Sequence, residues 1–378
     1  MNKKKSILNL KLIFFLFKII MDPIIQWVGG KKRLLNVLDL MLPNNYNTYY
    51  EPFLGGGALL YKLLPQNAKI YEININIYNL YINVKNNVLE IIEKLLIYEK
   101  EYLDSPDRKN FYLDKRTIYN SLDYSTPQNS IKKTILLLFL NKTCFNAVYR
   151  ENKKGEFNVP VGNMKNCTIC NTEQLKNISN YLNNNNITIY NDDFTKIIDT
   201  IEENDFVYLD PPYYPLKNDS FVGYDKNGFT KEKHDELIDI LHSLNEKKIN
   251  FMLSNSNNQY FRDKLSMYNI YDIAIARTLN SNIDDRKDCV CEILVTNYNL
   301  NKTQTISIPQ VNYSNLQKND NVSIKIKNKK YFLYANDINL KEINKCFYNF
   351  IILNKIKIVI TNKYIENNEY KISLLFNN

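Results

Sequence analysis

Glycine is scarce in this chain, with nine in 378 residues. Backbone that must bend sharply or touch a ligand has few places to do so, and the glycines mark them. Histidine is scarcer, with two, His234 and His242, and neither lies near a cysteine pair. Of the six cysteines, Cys167 and Cys170 have ligand-like spacing, while Cys289 and Cys291 read as one face of a core strand. Without a second well-spaced pair no metal is expected, and nothing suggests a secreted disulfide framework. Long apolar runs are missing too. Leu12 to Ile20 follows a basic start (Lys3, Lys4, Lys5) and imitates a signal peptide. Lys18 interrupts it, no small-residue cleavage site follows, and it is too short to span a bilayer. The expected location is therefore the cytoplasm, or wherever the substrate resides, and not the exterior or a membrane. Met21 is an alternative start, which makes residues 1–20 an N-terminal extension.

What is present suits a folded chain with a polyanionic partner. Hydrophobic residues make up 44%, enough for one large domain or two to three ordinary ones. The formal net charge of +9 favours salt-sensitive binding to a polyanion. Lysine-rich composition from an AT-rich genome would give the same balance, so charge supports this reading without deciding it.

The densest signal is Asp210-Pro211-Pro212-Tyr213, in a chain with 11 prolines. An exocyclic amino nitrogen on a base is a poor nucleophile because its lone pair is delocalised into the ring. Two acceptors on its hydrogens draw it toward tetrahedral geometry. The Asp210 carboxylate can be one acceptor and the Pro211 carbonyl the other, on backbone stiffened by successive prolines. Tyr213 offers a flat face on which a flipped-out base can stack. Catalysis of this kind is positioning and electrostatics. The preceding run, Asp205 to Leu209, reads as a buried strand, which puts the motif at a strand's C-terminal end, where open α/β sheets hold ligands. A plain strand followed by a diproline turn is the bland alternative.

A second motif lies upstream. Glu51-Pro52-Phe53-Leu54-Gly55-Gly56-Gly57 follows a short strand (Thr48 to Tyr50) and opens a helical stretch from Ala58 to Leu64. Such a turn lets backbone approach a nucleotide-like ligand. The next strand, from Lys69, ends at Glu72, an acid placed to accept hydrogen bonds from ribose hydroxyls. Alone, Glu72 would read as a solvated charge; its place after the glycine turn favours the ligand role.

Together these motifs resemble the Dam-type DNA adenine-N6 methyltransferases, the D12 class of alpha order. Trp27-Val28-Gly29-Gly30-Lys31 is similar to the family's opening motif, Phe53 to Gly57 to its FxGxG motif, and Asp210 to Tyr213 to its DPPY motif. Leu140-Asn141-Lys142 and Gly155 to Pro160 resemble its DNA-reading segment. The likeness runs over roughly residues 24–298 in the family's motif order. It implies an S-adenosyl-L-methionine-dependent enzyme acting on N6 of adenine in double-stranded DNA by base flipping, at GATC or a related short site.

Residue by residue, the resemblance implies cofactor contacts for Trp27, Lys31, Phe53, Gly55, Gly57, Glu72 and Asp210. Most members carry Asp where this chain has Glu72. An acid after the next strand would meet the cofactor adenine; Asp192 and Asp193 are candidates, and Asp193 is preferred. For DNA, Phe145 is implied to fill the gap left by the flipped base. Asn146 and Val148 lie near base edges, Arg150 reads guanine, and Pro160 touches a thymine methyl. Arg277 and Asn282 match a phosphate-contacting segment, although the family's following glycines are missing. Gln26 stands where Dam enzymes carry Lys facing the first guanine; since Gln pairs best with adenine, the outer base is open.

The expected architecture is α/β. A Rossmann-like S-adenosylmethionine-dependent methyltransferase sheet (residues 21–85 and 187–299) carries an inserted, mainly helical target-recognition domain (86–186). A small α+β extension (300–378) follows. Within the insert, apolar spacing predicts helices over 86–103 and 131–140, and Asn183 to Asn186 marks a turn. Lys231 to Asn245 reads as an amphipathic helix, Asn250 to Asn255 as a strand, and 219–229 as a mobile loop. The extension alternates as strands near 322–326, 357–360 and 372–375, with a helical patch at 338–350. Alternative readings are an N4-cytosine or RNA adenine methyltransferase, a catalytically silent DNA-binding protein, or a dinucleotide oxidoreductase. The last leaves the DPPY run unexplained. A cognate restriction endonuclease is a candidate partner, and the sequence does not speak to oligomeric state.

Overall fold

Phe206, Val207, Tyr208 and Leu209 are all buried, the pattern of a strand covered on both faces. They form the middle strand of the main sheet. The computed structural model describes residues 21–163, 168–215, 229–275, 289–308, 315–327, 330–336, 338–343, 345–366 and 369–377. The N-terminal extension, the loop expected at 219–229 (all but Phe229), Cys167, Arg277 and Asn282 lie outside these residues.

The sheet comprises β1 (Tyr49–Glu51), β2 (Asn67–Tyr71), β3 (Asn186–Tyr190), β4 (Phe206–Leu209), β5 (Asn250–Ser256), β6 (Asn269–Ile275) and β7 (Cys289–Thr296). Their order is β3-β2-β1-β4-β5-β7-β6. β1 pairs in parallel with β2 and β4, and β4 with β5. β7 runs antiparallel to both β5 and β6, so the sheet is mixed. The chain leaves β1 in one direction and returns to β4 on the other side. This switch point lies at the carboxyl ends of β1 and β4, the usual ligand position in such sheets.

By chain contacts the protein divides into two compact units. The sheet belongs to the unit made of residues 31–54, 66–74 and 187–378. The helix Lys231–Glu246 packs its buried Leu237, Ile238, Leu241 and Leu244 into the core that also contains Val207, Leu209 and Leu253.

The other unit, which among the described residues runs over 21–30, 55–65 and the described part of 75–186, is mainly helical. Its longer helices are Ile75–Asn86, Val88–Asp104, Arg108–Ser121, Pro127–Thr143 and Thr172–Asn184. The predicted 86–103 helix is present as Val88–Asp104. The predicted 131–140 helix is longer at both ends. Thr126 accepts the Asn129 N–H as N-cap and Pro127 occupies the first turn, a favourable start for a helix. Its residues Ile135 to Asn141 are all buried, so this helix is the hydrophobic axis of the unit. The expected turn at 183–186 is the junction between the Thr172–Asn184 helix and β3.

Past residue 300 come β8 (Asn301–Ile308), β9 (Ser323–Lys327), β10 (Lys330–Ala335), β11 (Ile338–Ile343), β12 (Lys357–Glu366) and β13 (Glu369–Asn377). They form two three-stranded sheets, β11-β10-β9 and β12-β13-β8, with antiparallel pairing throughout. The helical patch expected at 338–350 is corrected here. Residues 338–343 form β11, a hairpin partner of β10, and the helix is Lys345–Leu353. A six-residue run too short to show its period allowed both assignments, and pairing decided for the strand. The helix rests on β6. Phe350 lies 6.0 Å from Tyr271 between ring centroids, and Asn354 exchanges two hydrogen bonds with the Asp272 backbone at 2.9 and 3.0 Å. Among the described residues, no helix is long and apolar enough to cross a membrane.

Candidate active site

Asp210 is the first residue past β4, at the switch point. Its side chain is 19% exposed, and Lys31 Nζ lies 2.7 Å from its Oδ1. The ammonium at this distance compensates the charge of the carboxylate. Burial pushes the Asp210 carboxyl above its ordinary value of 3.8, and the nearby Lys31 charge only partly offsets that.

The same ammonium sits 4.7 Å from the centroid of the Tyr213 ring, a cation–π distance. Across that ring, the Tyr213 hydroxyl donates to Glu292 Oε2 on β7 at 2.9 Å. The ring is therefore held at its face and at its far end. Backbone beyond it is tied to the end of β5. The Tyr214 N–H donates to Asn255 Oδ1 at 3.1 Å, Ser256 Oγ donates to the Tyr214 carbonyl at 2.6 Å, and Asn258 Nδ2 donates to the Pro215 carbonyl at 3.0 Å. Asn255 is fully buried. Loss of its acceptor would leave a buried N–H unpaired, at a cost of about 1–3 kcal/mol.

Further along the same carboxyl edge, Glu72 follows β2. It is buried at 7% exposure, and its Oε1 accepts the Asn74 N–H at 2.8 Å. Its own N–H donates to the Tyr190 carbonyl at 3.0 Å. Phe53, two residues past β1, stacks on Phe194 at 5.1 Å and meets the edge of Phe229 at 5.6 Å. Asp193 caps the short 3-10 helix Phe194–Asp199 through the Thr195 N–H at 3.0 Å, and Lys233 Nζ lies 3.6 Å from its other oxygen. Asp192 is exposed. Lys31, Phe53, Glu72, Asp193, Asp210 and Tyr213 all belong to the sheet unit.

Gln26, Trp27, Gly55, Gly57 and the loop starting at Phe145 belong to the helical unit. Gly55 and Gly57 have φ of +49° and +67°, conformations that glycine tolerates best. A Cβ on Gly55 would also lie 2.8 Å from the Trp27 indole. That indole stacks on Tyr149 with 5.2 Å between centroids, which joins the opening motif to the 145–160 segment.

That segment is held by its backbone. Fully buried Asn141 accepts the Gln26 N–H at 3.0 Å and donates to the carbonyls of Gln26 and Ala147, each at 3.1 Å. The Phe145 N–H donates to the Pro160 carbonyl at 2.9 Å. Tyr112 and Arg116 both donate to the Val159 carbonyl, at 2.8 and 3.1 Å. Phe157 and Val159 point inward and are buried. Gln26, Phe145, Asn146, Arg150 and Pro160 are exposed, and Val148 is half-buried. Phe145 is 55% exposed, unusual for a large apolar side chain. Asn146 and Ala147 adopt φ of 56° and 51°. For alanine this is a strained conformation of the kind that clusters at functional loops. Arg150 is aimed by Asn158, which accepts from its Nε at 2.8 Å.

Comparison with known proteins agrees with this geometry. Residues 27–279 match the model of the D12 class N6 adenine-specific DNA methyltransferases. The chain belongs to that family. It is 37% identical over 283 residues to the Type II methyltransferase M1.LlaDCHI of Lactococcus lactis subsp. cremoris, covering 74% of this chain and 97% of the relative. It is 38% identical over 289 residues to the Type II methyltransferase M.MjaIII of Methanocaldococcus jannaschii, covering 73% and 99%. The DNA adenine methylase of Haemophilus influenzae is 30% identical over 267 residues, covering 70% and 90%. The methyltransferase is thus an adenine-specific enzyme acting on DNA.

Several residues of the enzyme carry no clear signal in the sequence. Glu292 is visible there only as the lone charge in the otherwise apolar run Cys289 to Thr296. Asn255 and Ser256 give no such hint, because their partners are 41 and 42 residues away in sequence. Asn141 stands out as part of a motif, but its bracing role does not.

Proposed function

We propose that the enzyme methylates N6 of adenine in duplex DNA at GATC or a related short site, after rotating the target base out of the helix. S-adenosyl-L-methionine, when bound, supplies an electrophilic methyl group. The residues along the sheet's carboxyl edge fit that group: Glu72 is a buried acid suited to ribose hydroxyls, and the half-buried Phe53 offers an aromatic face. Asp193 is assigned to the cofactor's adenine. The family resemblance assigns Trp27, Gly55 and Gly57 to the same ligand.

The observation that carries the mechanism is the Asp210 carboxylate, held at the switch point by Lys31 at 2.7 Å. A carboxylate keeps further acceptor sites beside that contact, and one of them can accept an N6–H. The Pro211 carbonyl accepts from the other N6 hydrogen, on backbone fixed by Pro212. Tyr213, held by Lys31 and Glu292, stacks on the extruded base. No side chain needs to act as a strong base, because the proton leaves after transfer.

In recognition, Phe145 fills the gap in the base stack and Arg150 reads guanine. Asn146, Val148 and Pro160 approach neighbouring bases, and Gln26 faces the outer base. Arg277 and Asn282 are assigned to phosphates on the resemblance alone. Residues 86–186 serve as the recognition insert, 21–85 with 187–299 as the catalytic domain, and 300–378 as an extension. A cognate restriction endonuclease is the proposed partner. In support, two relatives at 37% and 38% identity carry the name Type II methyltransferase.

The test is Asp210→Ala. Methylation should fall about a hundred- to a thousandfold, the range for removing a group central to transition-state electrostatics, with DNA binding retained. Retained activity would remove Asp210 from the mechanism.

A further inference from the structure

The net charge of +9 is unevenly distributed. Residues 21–300, which include the family match, hold 32 basic and 35 acidic residues, a net of −3. Residues 301–378 hold twelve lysines against five acids, a net of +7. Genome-wide lysine enrichment acts on both segments alike and does not produce this contrast. The family-matched segment thus brings no net positive charge to a polyanion, and the extension does. About a quarter of the chain also lies outside the match to the lactococcal relative, since 74% of this chain covers 97% of that protein.

The fold gives this charge a surface. One face of the β11-β10-β9 sheet carries the Lys345–Leu353 helix, with Tyr331 stacked on Tyr348 at 4.6 Å. In register, Phe332 lies opposite Lys325 and Glu342. Those residues therefore share the other face with Lys330, two positions from Phe332. There Lys325 Nζ lies 5.0 Å from the Tyr334 ring centroid, and Lys330 pairs with Glu342 at 3.2 Å while 60% exposed. The 319–322 segment joins the second sheet, with the Asn319 N–H on the Ile360 carbonyl at 2.6 Å and the Val322 N–H on the Ile358 carbonyl at 2.9 Å. Exposed Lys318 lies in the turn before this segment, Lys357 opens β12 and exposed Lys355 lies in the turn that precedes it, with Asn321 bridging Val359 between the two sheets. The extension is fastened to β6 of the catalytic sheet through Phe350 and Asn354.

We propose that residues 301–378 are an accessory DNA-backbone clamp, whose lysines neutralise phosphates of the duplex beside the target site. It rests on the methyltransferase reading and adds a source of affinity absent from the family match. Phosphate contacts of this kind position the protein without reading sequence.

The test uses the full chain with Lys318, Lys330, Lys355 and Lys357 all changed to Gln. Binding to one duplex containing GATC and one without it is measured across a salt series. Each phosphate that is no longer neutralised takes about 0.9 off the slope of log affinity against log salt. The slope should therefore fall by about 2 to 4, and affinity should drop about tenfold or more for both duplexes alike. A control variant with Lys100, Lys176, Lys247 and Lys264 changed to Gln should show a much smaller loss. Equal losses in the two variants, or an unchanged slope in the first, would overturn the clamp. So would tighter wild-type binding to single-stranded RNA than to duplex DNA, abolished in the first variant. Methyl transfer by the wild type, followed in the same samples, keeps failure of the clamp distinct from failure of the methyltransferase assignment.

Discussion

The end of β4 and the 145–160 segment solve opposite problems. At Asp210 and Tyr213 the side chains are the restrained parts: Lys31 compensates one, and Lys31 with Glu292 grips the other. In the 145–160 segment the backbone is restrained, by Asn141, Tyr112 and Arg116. Its side chains Phe145 and Asn146 are exposed, and exposed Arg150 is steadied by Asn158. Chemistry needs donors and acceptors fixed before the substrate arrives. The proposed sequence reading needs a rigid base from which side chains can enter a groove. Order at the side-chain level therefore distinguishes the first region from the second, where the backbone carries it.

The contrast is broken most severely at Asn141. Asn141→Ala leaves the Gln26 N–H and two carbonyls without these partners, and should destabilise the protein by about 2–4 kcal/mol, read by thermal or urea unfolding. DNA binding should fall with it, while a destabilisation below about 0.5 kcal/mol would contradict the bracing role.

At the other pole, Lys31→Met removes the charge that holds the Asp210 carboxyl down. That carboxyl already lies above its ordinary value because of burial. Loss of Lys31 should raise it further, so activity, which needs the ionised carboxylate, should fail at a higher pH on acidification. A pH–rate profile with an unmoved acid limb would show that Lys31 does not act through Asp210.

Glu292→Ala should lower kcat/KM about tenfold by loosening the Tyr213 ring, in the range of one charge-assisted hydrogen bond. Glu292→Gln should keep most of the activity. Tyr213→Phe combined with Glu292→Ala should be no worse than either alone, because both remove the same hydrogen bond. Additive losses would place Glu292 elsewhere in the mechanism.

Confined to specificity is Gln26→Lys, which should shift the outer-base preference toward guanine by about 1 kcal/mol, the low end of the range for one base contact, with catalysis on the preferred site intact. Unchanged specificity in a substrate panel would remove Gln26 from recognition.

Much of this is legible in the chain because the informative residues are local. β4 is an uninterrupted apolar run that stops at the DPPY motif, and the glycine turn lies between a strand and a helix where the spacing puts it. The surplus order is not legible. Glu292 reaches Tyr213 across 79 residues, and Asn255 reaches Tyr214 across 41, partnerships created by the pairing of β5 with its neighbours. β11 reads as helix in the sequence for a related reason: its strand character comes from hairpin pairing with β10, not from its own period. Local pattern finds the residues proposed to touch substrate, while the residues that hold them still depend on topology.

The central claim is that the carboxyl edge of β4 presents Asp210 and Tyr213 to an adenine amino group. The most direct measurement is base-resolved sequencing of unmethylated plasmid DNA treated with the purified enzyme and S-adenosyl-L-methionine. N6-methyladenine at one short motif, absent with Asp210→Ala, is the expected result. Methyl groups on cytosine N4, or unmodified DNA from an enzyme that binds both the duplex and the cofactor, would contradict it.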